Sequence, residues 1–305
     1  MNNSQQNPPS PRYLQELYES GVNISAFLRE QQGISWNTES IIEVAYDLQA
    51  GSYIALSETP EGSNLKERYT SEIANVILSL FRPSSLLEAG VGESTTLAGV
   101  LKHLKIPVDA FGFDISWSRV AYGKKYLEKQ GIPNVTLCTG SLLSIPFADE
   151  SIDIVYTSHS IEPNRGKEET ILKELLRVTR KYLILLEPGY ELAGEEARKR
   201  MDFHGYCRNL KEIASQLGCK VLVHELFPVI GNPLNPTAIT IIEKEVKKTS
   251  SPYILACPKF KTHLEKIGNV LFSPEGLMIY PIIDDIPCLR IENGIIASHY
   301  KKLHT

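Results

Sequence analysis

The chain has 305 residues, 42% of them hydrophobic and 22% charged, a composition ordinary for a globular protein with one large domain and a smaller appendage. Its formal net charge of −4 gives no general attraction to nucleic acid or acidic membranes, and no apolar run reaches membrane-spanning length. Cys138, Cys207, Cys219, Cys257 and Cys288 are odd in number and scattered, which argues against a disulfide framework. The polar start "MNNSQQNPPSPRYLQ" has no hydrophobic centre, so a reducing cytoplasm is the expected setting.

Residues 1–12, rich in Pro, Ser, Asn and Gln, are expected to be a disordered lead-in. Residues 13–80 have a helical pattern: "NTESIIEVAYDLQAG" offers Asn37 and Thr38 as caps and stops at Gly51. After Pro83 short apolar runs alternate with amphipathic stretches. Strands are expected in "SLLEAGV", "VDAFGFDIS", "VTLCTGS", "DIVYTSH" and "YLILLEP", with helices such as "WSRVAYGKKYLEKQG" between them. That alternation predicts a doubly wound parallel sheet. "KVLVHELFPVIGNPLNPTAITIIEKE" holds two more strands, whose joining loop is too short for a helical crossover, so an antiparallel pair should end the sheet. The expected fold class is α/β: a mostly parallel seven-stranded sheet over 81–246, preceded by a helical cap. The linker "KKTSSP" (247–252) then leads to a small β-rich module at 252–297.

The stretch "LLEAGVGESTTL" (86–97) has the glycine turn of a nucleotide site. A dinucleotide fingerprint wants G-x-G-x-x-G and a later acid; Gly90 and Gly92 match, but Thr95 stands at the third position. Asp114, ending the second strand, can accept both ribose hydroxyls of NAD or of S-adenosylmethionine. Glu88 separates the two: an anion there repels a pyrophosphate but suits a ligand carrying an ammonium and a sulfonium. On "LLEAGVGES", "GFDIS" and "GSLLSIPFADESIDIVYTSHSIE", residues 80–245 resemble the class I S-adenosylmethionine-dependent methyltransferases. The most specific segment is "PFADESIDIV" (146–155), with Ile152 where the family pattern has Phe.

The resemblance implies a Rossmann-like fold and S-adenosylmethionine as cofactor. It places Glu88, Gly90 and Gly92 in the glycine loop, Asp114 and Ile115 at the ribose, and Ser141 and Leu142 at the adenine. Ser158 ends the fourth strand, and Tyr53 or Tyr46 from the cap reaches the methionine end. Two positions depart from the pattern: Ser94 replaces a common Gly, and Ser141 replaces the common acid that contacts the adenine amino group.

Methyl transfer chiefly requires in-line positioning of a nucleophile, with a base only where the acceptor loses a proton of high pKa. Candidates belong at the ends of strands four and five. His159 is the expected base, against a plainer role bonding a loop carbonyl. Glu187 would orient the acceptor, or else cap the following helix. Glu162, Tyr190 and His204, with Tyr206, would line the acceptor pocket; "EEARKR" (195–200) reads as a solvated helix face with no role.

The tail segments "CPKFK" and "YPIIDDIPCL" resemble the zinc-ribbon module of the methyltransferase-activator family. Structural zinc needs two cysteine pairs, and here only Cys257 is kept, with Phe260, Ser273 and Gly276 at the other positions. No metal is therefore expected; Phe260 should fill the vacated centre, and the module should lean on the main domain or on another subunit, as a homo-oligomer or a partner-docking element. The expected activity is methylation of N or O on a small polar acceptor. By resemblance at "AYDLQAGSY" and "SHSIEPN", the acceptor is a sugar or nucleotide-sugar of surface-polysaccharide synthesis. The alternatives are an RNA or protein methyltransferase, disfavoured by the lack of a basic stripe, and an inactive scaffold.

Overall fold

In the computed structural model, residues 9–245 and 251–304 are described. Five helices open the chain: α1 (Pro11–Glu19), α2 (Ile24–Gln32), α3 (Glu39–Asp47), α4 (Ser52–Ser57) and α5 (Pro60–Leu80). Ser10, Asn23, Thr38 and Thr59 each cap one by accepting a backbone N–H, and Pro11 and Pro60 sit where a missing N–H costs nothing. With that cap and proline, Pro11 and Arg12, expected in the disordered lead-in, are helical. Residues 1–8 and 247–250 lie outside the described residues.

The sheet is built from β1 (Ser85–Ala89), β2 (Asp109–Asp114), β3 (Val135–Thr139), β4 (Ile152–Ser158), β5 (Thr179–Pro188), β6 (Lys220–Leu226) and β7 (Thr237–Glu243). Its helices are α6 (Thr95–Leu104), α7 (Trp117–Lys129), α8 (Glu168–Val178), α9 (Glu195–His204) and α10 (Leu210–Gln216). The strand order is β3-β2-β1-β4-β5-β7-β6; the first five are parallel, and β7 runs antiparallel to both β5 and β6. This is the expected mostly parallel seven-stranded sheet. Two apolar clusters cover it. One joins α8 and α10 through Ile171, Leu175 and Ala214; the other joins α5, α6 and α7 through Ile77, Leu97 and Val120. Strand order reverses between β1 and β4, and open α/β sheets bind ligands at the carboxyl ends beside such a reversal. None of the described helices is long and apolar enough to cross a membrane.

The C-terminal module has strands β8 (Glu265–Ile267), β9 (Val270–Ser273), β10 (Met278–Ile283), β11 (Ile286–Pro287) and β12 (Ile295–Ile296), then α11 (Tyr300–His304). It leans on the main domain. Cys288 pairs with Thr139 of edge strand β3, and the Ala148 and Ala256 N–H groups donate to Ile254 and Pro146 carbonyls at 2.8 and 3.0 Å. Lys261 Nζ reaches Ser144 Oγ (2.8 Å) and Glu174 Oε2 (2.9 Å), and Arg290 pairs with Glu43 of α3. Cys257, Tyr280 and Leu289 join the apolar cluster that holds Phe113 and Phe147. Phe260 does not fill the centre of the module. Its ring lies over Gly276, where a Cβ would stand 2.7 Å from it, and it remains 41% exposed. Cys257 Sγ lies 3.5 Å from the Tyr280 hydroxyl. Among the described residues, no group of three or more His, Cys, Asp or Glu gathers as metal ligands.

Candidate functional site

The turn after β1 is shaped by contacts that only glycine permits. Gly90 has φ +79°, and a Cβ there would fall 2.2 Å from Ser160 Cβ. The Gly90 and Val91 N–H groups both donate to Phe113 O, tying the turn to β2. Asp114 Oδ2 accepts from Gly92 N at 2.9 Å and Oδ1 from Ser116 N at 3.0 Å, so its carboxylate is fixed and keeps lone pairs for a ligand. Beyond the turn, Ser94 has φ +58° with its hydroxyl buried and unbonded, a conformation at home in the glycine it replaces.

The cap closes over this turn. Glu93 accepts from the Tyr53 and Ile54 N–H groups at the start of α4, and Asp47 of α3 takes both hydroxyls of Ser116 and Ser118. The cavity beneath the cap, about 700 Å³, is a typical size for a small-molecule site. At one end it is lined by Gly90, Gly92, Asp114, Ile115, Ser141 and Leu142; Glu88, Tyr53, Ser158, His159 and Glu162 also face it. Arg119, beneath the rings of Tyr46 and Tyr53, stands beside Glu93 at 3.7 Å. Ser141 donates its hydroxyl to Glu39 of α3, so the acid missing at position 141 is present in space from another element.

Charge is concentrated between the two ends. Glu88 accepts from Tyr156 Oη at 2.9 Å; burial pushes its carboxyl up to about 8, against that bond and the nearby Lys66. Burial also lowers the Lys66 ammonium, opposed by Glu88 and Glu93, and its Nζ lies 3.0 Å from Thr96 Oγ1 at the start of α6.

At the far end, His159 Nδ1 is 2.6 Å from Glu162 Oε2 and its Nε2 is 2.8 Å from Thr237 Oγ1. Burial would lower the imidazole, but the bond to Glu162 and that residue's charge outweigh it and hold the His159 pKa above its ordinary value. Burial likewise raises Glu162, and His159 more than reverses this.

Three residues expected at the acceptor do not line the cavity. Glu187 turns into the loop after β4, where its two oxygens accept from the Ser160, Ile161 and Glu162 N–H groups at 3.0–3.2 Å. Burial pushes it up to about 7, opposed by the charge of His159. Its place in the fold is to hold the loop that carries His159 and Glu162. Tyr190 hydrogen-bonds Asp202 at 3.0 Å, and His204 stacks on Tyr206; only Tyr206 reaches the cavity. Lys66, Tyr69, Glu39, Arg200, Asn235 and Thr237 line it without having been expected there. Arg200 departs most from its reading as solvated surface: it precedes the buried Met201 on α9 and lines the cavity, while Arg198 and Lys199 stay exposed.

Residues 86–182, from β1 into β5, match the family described as "Methyltransferase domain". The match covers about a third of the chain and makes this segment similar to methyltransferase domains. A demethylmenaquinone methyltransferase of Geobacillus kaustophilus (strain HTA426) is 32% identical over 72 residues, 24% of this chain and only 30% of that protein's length. Among solved structures, magnesium protoporphyrin IX methyltransferase from Synechocystis PCC 6803, with bound SAH, superposes with TM-score 0.53 at 13% identity, covering 68% of this chain and 100% of that one. The 4+2 cyclase SpnF superposes with TM-score 0.56 at 15% identity, covering 70% and 99%. Both share the fold of this chain's sheet domain. Since one is titled a methyltransferase and the other a cyclase, the chemistry must be argued from the site and not from the fold.

Proposed function

We propose that the protein transfers a methyl group from S-adenosylmethionine to an oxygen or nitrogen of a small polar acceptor. What carries this reading is that one cavity holds both a fixed ribose-type acid, Asp114 at the glycine turn, and a hydrogen-bonded His159–Glu162 pair. The residues fit the cofactor part by part. Asp114 has lone pairs left for two ribose hydroxyls, and Glu39, held on Ser141, can accept from the adenine amino group. Glu88 suits the ammonium of the methionine end. Lys66, with Thr96 at the start of α6, suits its carboxylate.

When bound, the cofactor supplies an electrophilic methyl carbon on its sulfonium. The chain's own residues then position the acceptor and receive its proton. In neutral His159, Nδ1–H donates to Glu162, which fixes the tautomer and leaves Nε2 as the basic atom beside the Thr237 hydroxyl. A hydroxyl acceptor passes its proton to Nε2 through that hydroxyl. Asn232, Asn235 and Thr237 at this end suit a hydroxyl-rich molecule, and a sugar or nucleotide-sugar is the acceptor class we place first.

The test is transfer of labelled methyl from S-adenosylmethionine to a panel of sugars, nucleotide-sugars, amines and RNA. Label in a sugar, lost in Asp114→Asn, upholds the reading; label in RNA alone moves it to the RNA alternative. Cofactor binding with no acceptor labelled favours the inactive scaffold.

A further inference from the structure

The acceptor end of the cavity holds two polar atoms that the protein itself leaves unsatisfied. Arg200 Nη1 is buried with no hydrogen-bond partner, and among the described residues no carboxylate pairs with this guanidinium. Its Cζ lies 5.8 Å over the Tyr206 ring, and the Tyr206 hydroxyl interacts with both Arg200 and Glu162. Asn235 Nδ2 donates to Glu162 Oε2 at 3.1 Å, while its Oδ1 is buried without a donor. The amide cannot be turned to exchange the two, because a carboxylate accepts only and would then face an oxygen. A guanidinium nitrogen buried without a partner and a buried carbonyl lacking a donor are both costly, and a ligand that supplies the missing partners removes the cost.

The two atoms line one cavity with Glu162, which bonds Asn235, and with Tyr206, over whose ring Arg200 lies. His159, on the other side of Glu162, faces the same space. We infer that the acceptor carries an oxyanion, a carboxylate or a phosphate, which pairs with Arg200 while a neighbouring hydroxyl or N–H donates to Asn235 Oδ1. The notion of an acceptor rests on the methyl-transfer reading; the anion site itself does not. Among sugars this selects sugar acids and sugar phosphates over neutral sugars. The planar guanidinium suits both anions, because each offers paired oxygens to its fork.

The test is calorimetric titration of the full chain with inorganic phosphate, glucose 1-phosphate, glucuronate and glucose, each with and without saturating S-adenosylhomocysteine. At least one anion should bind saturably where glucose does not. Arg200→Gln should weaken that binding at least about tenfold, Arg200→Lys should restore part of it, and Asn235→Ala should lower glucuronate or glucose 1-phosphate binding more than phosphate binding. Affinity for S-adenosylhomocysteine should stay unchanged in all three variants, which also reports that they fold. Preference for glucuronate or for the phosphates tells the two anion sources apart. Anions binding no better than glucose, or equally well to Arg200→Gln, would overturn the inference while leaving the cofactor reading intact. Anion binding that depends on Arg200 in a chain that never binds S-adenosylhomocysteine would uphold the anion site and overturn methyl transfer.

Discussion

His159 was legible as a candidate because it ends a strand beside the expected sulfonium, but its partners were not. Glu162 is three residues away in sequence, while Thr237 comes from β7, 78 residues on. The pair sets a pH dependence. Neutral His159 is the base, and its pKa is held above the usual value, so the rate should rise with pH through a midpoint above about 6.5. Glu162→Gln should move that midpoint to lower pH while lowering the plateau, as read from a pH–rate profile; an unmoved midpoint would exclude His159 as the titrating group. Glu88 gives a stability prediction of the opposite kind. Its folded pKa of about 8 lies above the unfolded value near 4.5, so the folded state binds the extra proton and Glu88's contribution is lost as pH rises across that interval. The stability of the wild type relative to Glu88→Gln should therefore fall between pH 5 and 9 in urea unfolding. At Ser94 the left-handed backbone and unbonded hydroxyl predict that Ser94→Gly stabilises by about 1 kcal/mol, a rise of a few degrees in Tm.

At the scale of elements, the strands were readable because buried parallel strands are apolar runs, and β1 and β4 are buried almost throughout. The direction of single side chains was not. Glu187 ends β5 where an acceptor contact was expected, yet three loop N–H groups take its oxygens. Arg200 was hidden in a charged run; the signal that marks it is the i, i+4 spacing of Ala197 and Met201, which puts the buried line of α9 beside it. The cap adds what no local motif can show. Glu39, 102 residues before Ser141, accepts the Ser141 hydroxyl, and on the proposed cofactor reading it takes the place of the usual acid at the adenine. Glu39→Gln should weaken S-adenosylmethionine binding about tenfold, and Ser141→Asp in that background should recover part of the loss, as measured by titration. Equal affinity in wild type and Glu39→Gln would remove α3 from the adenine subsite.

For the whole molecule, the cap and the sheet domain line the ligand cavity, while the C-terminal module docks on the sheet domain without lining it. The short strands of the module were readable from its sequence, but where it would dock depended on tertiary contacts with β3 and the loop after it. Those contacts cover an edge strand that would otherwise be open to association. Because module residues complete the core around Phe147, the chain should unfold in one calorimetric transition, without separate melting of the tail. Lys261→Met, which cuts bonds to Ser144 and Glu174, should lower that single Tm; a second, earlier transition would show the module to be independent.

The central claim is that the glycine turn and Asp114 hold S-adenosylmethionine, and calorimetric titration of the purified chain tests it most directly. The account predicts saturable one-to-one binding of S-adenosylmethionine and none of NAD. Loss of about a hundredfold in affinity is expected for Asp114→Ala, with a smaller loss in Asp114→Asn, which keeps one acceptor oxygen for the turn. Binding of NAD alone, or S-adenosylmethionine affinity unchanged by either substitution, would contradict it.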